Sequence, residues 1–433
     1  MNTSRVVDRR AIWGWSIYDF ANSSFTTIVV TFIYAAYFVQ GIAADETSGT
    51  GIWSLGVTAT AIFVALASPF VGAMADRGGY RKRFLFIATV GAILGSVILF
   101  FPTSGQITFA ICAFVFANVA FEMANVFYNA FLPDIAPQEK IGRISGYGWA
   151  LGYAGGLLCL VIALFALVQT ETPVFGFSTE GGENIRATSL LVAAWFAIFS
   201  IPTFLWLKEE KVEFPDSYSK LFGDAAKSLR TTFQEIKDYR QIFRLLLARL
   251  IYNDGLVTIF AFGGIYAKVT FGFTFTEVIY FGIALNLAAG IGAWIFGFVD
   301  DRIGGKKTIM FSLVGLIIAS GIAVAAPTKA MFWVSGILVG LLVGPNQSAS
   351  RSLMGRFVPD DKESEFYGFF AFSGKATAFL GPFFLGRLTE WFGNQRAGVA
   401  IVLVFFFVGA ILLTRVDEKE GIARAGRPEL QVD

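Results

Sequence analysis

Long apolar runs broken by isolated polar residues fill the chain. Twelve follow one another, at approximately 12–38, 53–75, 84–101, 106–131, 143–168, 188–207, 242–267, 276–298, 308–326, 330–354, 366–386 and 397–414. A helix needs about 20 apolar residues to cross the hydrocarbon core of a bilayer, and soluble cores have no use for runs of this length. The pattern predicts an all-α membrane protein with twelve transmembrane helices. The polar interruptions then indicate where its chemistry lies.

In the first run Asp19, Asn22 and Thr26 step by three and four residues and share one face. An aspartate inside a membrane helix costs roughly 2.5–3.5 kcal/mol on insertion scales, so it should face a cavity or a partner. Both a coupling role and a structural carboxylate near an interface fit Asp19. The fourth run carries Asn118, Glu122, Asn125 and Asn129 at spacings of four, three and four. At ~100° per residue they fall within ~60° of one another over ~17 Å. One buried asparagine is ordinary interhelical glue. Four polar groups including a glutamate would each need a buried partner, which favours a stripe lining a water-accessible path.

The seventh run places Arg249 and Asn253 on one face, with Asp254 turned ~100° away. Gly255 follows, and a local break there would free backbone carbonyls for a cavity. In the tenth run Gln347 and Arg351 are four apart, and Lys375 lies near the middle of the eleventh. An intramembrane lysine that cannot snorkel to a surface needs an acidic partner or an anionic ligand. Gly148, Gly152 and Gly156, and again Gly336, Gly340 and Gly344, form small-residue ridges suited to close helix packing.

One loop occurs twice. Gly72–Arg83 (GAMADRGGYRKR) returns 225 residues later as Gly297–Lys307 (GFVDDRIGGKK), with Gly72 matching Gly297, Asp76 matching Asp301, Arg77 matching Arg302 and Arg81 matching Lys306. Each sits between two apolar runs. Repetition at half-chain spacing implies a duplicated helical half. The expected division is a six-helix bundle over 1–207, a linker over 208–240, a second six-helix bundle over 241–415 and a tail over 416–433. Within the linker Phe222, Ala225, Leu229, Phe233 and Ile236 recur at helical spacing among cations, which predicts an amphipathic helix on the membrane surface.

Composition sharpens this picture in three ways. The chain is 55% hydrophobic and 15% charged, where a soluble protein carries about a quarter charged residues. Most of its 34 Lys and Arg fall in the terminal segments and in alternate loops, whereas Arg186, Lys268, Lys329, Arg387 and Arg396 lie at the opposite edge. This bias predicts a multi-pass protein of the plasma (inner) membrane with both termini cytoplasmic. The first run is too long for a signal-peptide core and is expected to be retained. Finally, there is no histidine, and Cys112 and Cys159 both fall in apolar runs. Zinc sites and serine-hydrolase triads are therefore not expected, and any proton carrier should be a carboxylate.

The repeated loop resembles the one between helices 2 and 3 of the major facilitator superfamily. A narrower resemblance rests on WSIYDFANSSF (15–25), YNAFLPDIAPQEKIGRISGYGWALGYAGG (128–156) and the segments NQSASRSLMGRFVP and EFYGFFAFSGKATAFLGP. These are similar to the Unknown Major Facilitator family, which includes the autophagy-related vacuolar amino-acid effluxers of fungi. The resemblance implies two pseudo-symmetric six-helix bundles around a central cavity, moving by alternating access. It also implies a gate on the cytoplasmic side, built from Gly72, Asp76, Arg77, Gly79, Arg81, Gly297, Asp301 and Arg302.

The expected function is secondary active transport of a small polar solute, with amino acids or related zwitterions first and another organic anion or a lysolipid as alternatives. Arg351 or Lys375 would hold a carboxylate, and Asp19, Glu122 or Asp254 an ammonium or a proton. Asn22, Asn118, Asn125, Asn129, Arg249, Asn253 and Gln347 complete the candidate site. A membrane receptor that no longer transports is less consistent with so many intramembrane charges. No P-loop is present, and the basic segments are juxtamembrane, which argues against ATP-driven, enzymatic and nucleic-acid-binding roles. The expected partners are the bilayer, the solute and protons, with no cofactor, no metal and a monomeric state.

Overall fold

A computed structural model describes residues 5–209, 218–235, 237–427 and 430–432. The first six helices are α1 (Arg9–Ile42), α2 (Glu46–Gly78), α3 (Arg81–Ile98), α4 (Ile107–Ile135), α5 (Ile141–Val168) and α6 (Glu183–Trp206). A shorter helix, α7 (Tyr218–Gln234), follows. Then come α8 (Arg240–Phe271), α9 (Phe275–Ile303), α10 (Gly305–Ala325), α11 (Lys329–Phe357), α12 (Glu363–Phe392), α13 (Gln395–Thr414) and the short α14 (Glu418–Ala425). Eleven of them are long and apolar enough to cross a membrane. Helix α3 is the twelfth: it opens on Arg81, Lys82 and Arg83, and its 18 residues extend ~27 Å, close to the thickness of a bilayer core. Large side chains such as Leu66, Phe165, Leu205 and Phe407 stand exposed on the outer faces, as lipid contact requires.

Two apolar cores organise the spans. One gathers buried residues of α1–α6, from Trp15 and Tyr18 to Phe196; the other gathers those of α8–α13, with Val126 and Ala130 of α4 at its edge. The bundles meet along α2 against α12 and α5 against α9, a two-fold-related pair of seams. Glycine permits the approach at equivalent places. A Cβ on Gly72 would lie 2.1 Å from the Ser364 carbonyl oxygen, and one on Gly297 would lie 2.9 Å from the Arg143 Cα. The two ridges pack within bundles instead: Gly152 and Gly156 against Ser23 and Thr27 of α1, and Gly340 and Gly344 against backbone of α9. Helix α8 runs through Gly255 without a break, because Gly255 is where the Phe406 ring of α13 packs; the expected unwinding does not occur.

At the end carrying the termini, Arg5–Val7 (β1) pairs in parallel with Leu430–Val432 (β2). Helix α7 turns Leu221, Ala225, Ser228 and Thr232 inward and leaves Phe222 and Phe233 exposed. Ile236 of the expected apolar stripe lies outside the described residues.

Candidate functional site

A cavity of about 590 Å³ lies between the bundles. Its floor is Asp19, Asn129 and Arg351, and it extends past Thr31, Tyr266 and Phe332 toward the end away from the termini. The periodicity of α1 and α4 brings Asp19, Asn22, Glu122, Asn125 and Asn129 to one wall, while Arg249, Asn253, Gln347, Arg351 and Lys375 face them from α8, α11 and α12. Two expected members are absent. Asn118, one turn beyond Glu122, is buried inside the first bundle. Asp254 is buried off the cavity, with its Oδ2 lacking a hydrogen-bond partner among the described residues.

The charges are paired across the bundles. Arg351 Nη1 lies 2.8 Å from Asp19 Oδ2, and Lys375 Nζ lies 2.6 Å from Glu122 Oε1. In both pairs the acid belongs to the first bundle and the cation to the second. The first pair is the drier: the Arg351 side chain is 4% exposed, that of Lys375 32%. Arg351 also donates from Nε to Ser145 Oγ, from Nη2 to the Ser145 carbonyl and from Nη1 to Asn129 Oδ1, and it lies over the Trp15 ring at 4.7 Å. The tight fit needs Gly148, since a Cβ there would come within 2.5 Å of Asp19 Oδ2. Arg351 and Lys375 were the expected carboxylate receptors; in this conformation both already have carboxylates. Arg249 alone among the cavity cations makes no ion pair with a described residue, donating from Nη1 to the Phe370 carbonyl at 2.8 Å and Ser373 Oγ at 2.9 Å. Of the amides, Asn22 donates to Asn125 and Asn253 to the Gly374 carbonyl.

Below the floor, the termini end is closed by reciprocal caps. Helix α12 begins without a side-chain cap of its own, and Asp76 of the other bundle accepts hydrogen bonds from the amides of Ser364 (3.0 Å) and Glu365 (2.8 Å). Helix α5 begins likewise, and Asp301 accepts from Gly142 (2.9 Å) and Arg143 (3.2 Å). In both cases the amides belong to the second and third helical residues, where an N-cap acceptor normally acts. Arg143 also pairs with Asp301 through Nε. Arg81 ties Asp76, Asp134 and Glu363 together, at 3.3, 2.5 and 2.7 Å. Gly79, at φ +63°, makes the left-handed turn that lets Arg81 start the next helix.

The second loop departs from the first in two respects. Lys306 does not take the place of Arg81. The turn before it is one residue shorter, Gly304 against Gly79-Tyr80, so Lys306 matches Lys82 instead. Lys306 donates to the Val416 carbonyl and Lys82 to that of Leu207, each just past the last helix of its bundle. Nor does Arg302 join the contacts between the bundles. It is exposed and makes no ion pair with a described residue, whereas Arg77 donates to Ser228 Oγ of α7. The second loop instead meets α14, where Glu418 accepts from the amides of Gly305 (2.9 Å) and Lys306 (3.0 Å).

Several charged residues at the termini end carried no clear sequence signal. Arg356 pairs with Asp300 at 2.6 Å. Arg427, beyond α14, reaches Asp134 and Asp360 at 2.8 Å each and also pairs with Glu363, so the tail joins both bundles. Burial opposes the charge on Arg427, but Glu363 and Asp134 outweigh it and raise its pKa above the ordinary arginine value. Asp134 and Glu363 sit at helix ends, in the last turn of α4 and the first of α12, where periodicity says little.

Residues 54–426 match the family model described as vacuole effluxer Atg22 like. Among curated relatives, an uncharacterized MFS-type transporter, YxiO of Bacillus subtilis, is 25% identical over 94% of each chain. Autophagy-related protein 22-1 of Penicillium rubens is 26% identical over 64% of this chain, which spans about half (50%) of that fungal protein. A solved structure of the proton:xylose symporter XylE superposes with a TM-score of 0.74 at 10% identity, over 95% of this chain and 96% of that one. With its twelve spans and two bundles, the chain belongs to the Atg22-like family of the major facilitator superfamily.

Proposed function

We propose that the protein is a secondary active transporter that works by alternating access on small polar solutes, first of all amino acids or related zwitterions, with protons as the coupling ion. The carrying observation is that both ion pairs in the cavity join an acid of one bundle to a cation of the other. Caps that also run only between bundles close one end. Rocking the bundles to open that end would break the caps and re-space the pairs. Protonating Glu122 or Asp19 removes its attraction for the cation, so a proton and a solute would both bias one equilibrium. The wetter Glu122–Lys375 pair suits exchange with the cavity, and the drier Asp19–Arg351 pair suits the floor. We take the termini end as cytoplasmic, from the distribution of cations.

The test is solute-driven proton flux in proteoliposomes, with pooled amino acids, organic acids and sugars presented against an imposed pH gradient. Amino-acid flux that stops in Glu122→Gln or Asp19→Asn supports the reading, and silence with every pool from folded protein refutes it. A second reading, transport of a small organic anion, is favoured by Arg249, which makes no ion pair with a described residue.

A further inference from the structure

We propose that Arg249 is the docking point for the carboxylate of a small organic acid, and that the cavity prefers a solute of net charge −1 to a zwitterion of the same size. This rests on the transporter reading for taking the cavity as a solute site, and within it favours the organic-anion reading over the zwitterion one.

Arg249 is 8% exposed yet lines the cavity. Its guanidinium lies 3.7 Å from the centre of the Phe370 ring, and its two Nη1 bonds fix the plane of the group. Its Nε is buried without a hydrogen-bond partner among the described residues. Guanidinium does not give up its proton in proteins, so this charge cannot be relieved by neutralisation. A buried cation held only by a carbonyl, a hydroxyl and a ring is under-compensated. The nearest acid along α8, Asp254, is five residues on, ~140° around the helix, and does not line the cavity. A planar carboxylate is the ligand shape that a fixed guanidinium edge accepts.

Charge balance sets the class of solute. The carboxylates lining the cavity, Asp19 and Glu122, are neutralised by Arg351 and Lys375, and Arg249 remains as the surplus cation. A carboxylate at Arg249 completes the balance. The ammonium of a zwitterion would then have to draw Glu122 or Asp19 away from its cation, at a cost that an anion of equal size does not meet.

The experiment measures equilibrium binding to the purified full chain in nanodiscs. The probes are isocaproate, leucine and leucinamide, which share a side chain and differ in charge, with lactate as a smaller acid. Wild-type protein is expected to bind isocaproate or lactate saturably and more tightly than leucine, and leucinamide least. Arg249→Gln should weaken both acids by about tenfold or more while leaving leucinamide unchanged, and Arg249→Lys should fall between. Leucinamide serves as the control for general damage, and the Lys variant decides the matter if the Gln variant fails to fold.

Undiminished acid binding in either folded variant overturns the docking point. Leucine binding as tightly as isocaproate overturns the charge preference. No saturable binding of either acid to wild-type protein at millimolar concentration overturns both. Failure of the transporter reading looks different: acids bind in an Arg249-dependent way while no solute pool drives flux. Solute-driven flux with unchanged affinity in Arg249→Gln instead discards the docking point and leaves transport standing.

Discussion

Asp19 and Arg351 form a nearly buried pair at the cavity floor, so truncating one should cost more than truncating both. Breaking a buried pair typically destabilises by about 3–5 kcal/mol, because the remaining charge is left uncompensated. We expect Asp19→Asn to lower the thermal unfolding midpoint in detergent clearly, and Asp19→Asn with Arg351→Gln to recover part of that loss. Additive losses would show that the pair is not coupled. Glu122→Gln should be milder in the same assay, since Lys375 can still reach water. At this scale the sequence identified faces but not partners. Asp19, Glu122, Arg351 and Lys375 were all legible as costly intramembrane charges, yet the partners lie hundreds of residues apart and on different bundles. Asn118 shows the limit of periodicity: it shares a face with Glu122, but one turn further along that face meets packed side chains rather than the cavity.

Between elements, the decisive contacts are the caps given by each bundle to the other. Losing an N-cap acceptor costs about 0.5–2 kcal/mol, and here the loss falls only on the state closed at the termini end. Asp76→Ala and Asp301→Ala, which remove the acceptor, should each shift the population toward opening there. The check is alkylation of a single cysteine placed at buried Ile141, with Cys112 and Cys159 replaced; an unchanged labelling rate in both variants would refute the capping role. Gly72→Val should act in the same direction and more strongly, because the close contact with Ser364 would have to be relieved at about 1–3 kcal/mol. The repeated loops and their glycines were readable from spacing alone. What they bind was not, because a helix start without a cap of its own looks like any other charged loop until the opposite bundle is in place. Gly255 misled for a related reason, since a ring from a distant helix, not a break, is what a missing side chain admits there.

For the whole molecule, pseudo-symmetry explains most of the architecture, and its departures mark the parts that belong to one half. The linker helix α7 meets Arg77 and leaves Arg302 without an equivalent, so a repeat detected in sequence overstated the symmetry of the gate. The tail contributes Arg427 to a cluster spanning both bundles. Arg427→Ala should therefore open the termini end in the same cysteine assay without lowering solute affinity in the state already open on the far side. A loss of affinity with no change in labelling would refute a latch role.

The small parallel ladder between β1 and β2 has a practical meaning for anyone who fuses a tag to this chain. Arg5–Val7 and Leu430–Val432 lie side by side at the end where the bundles meet beneath the cavity. On the alternating-access reading proposed above, a bulky fusion at either strand should act as a wedge and slow turnover without touching the solute. On the same reading, a donor and an acceptor fluorophore beside the two strands should separate once per cycle, and single-molecule energy transfer would check this; a constant transfer efficiency under turnover would refute it.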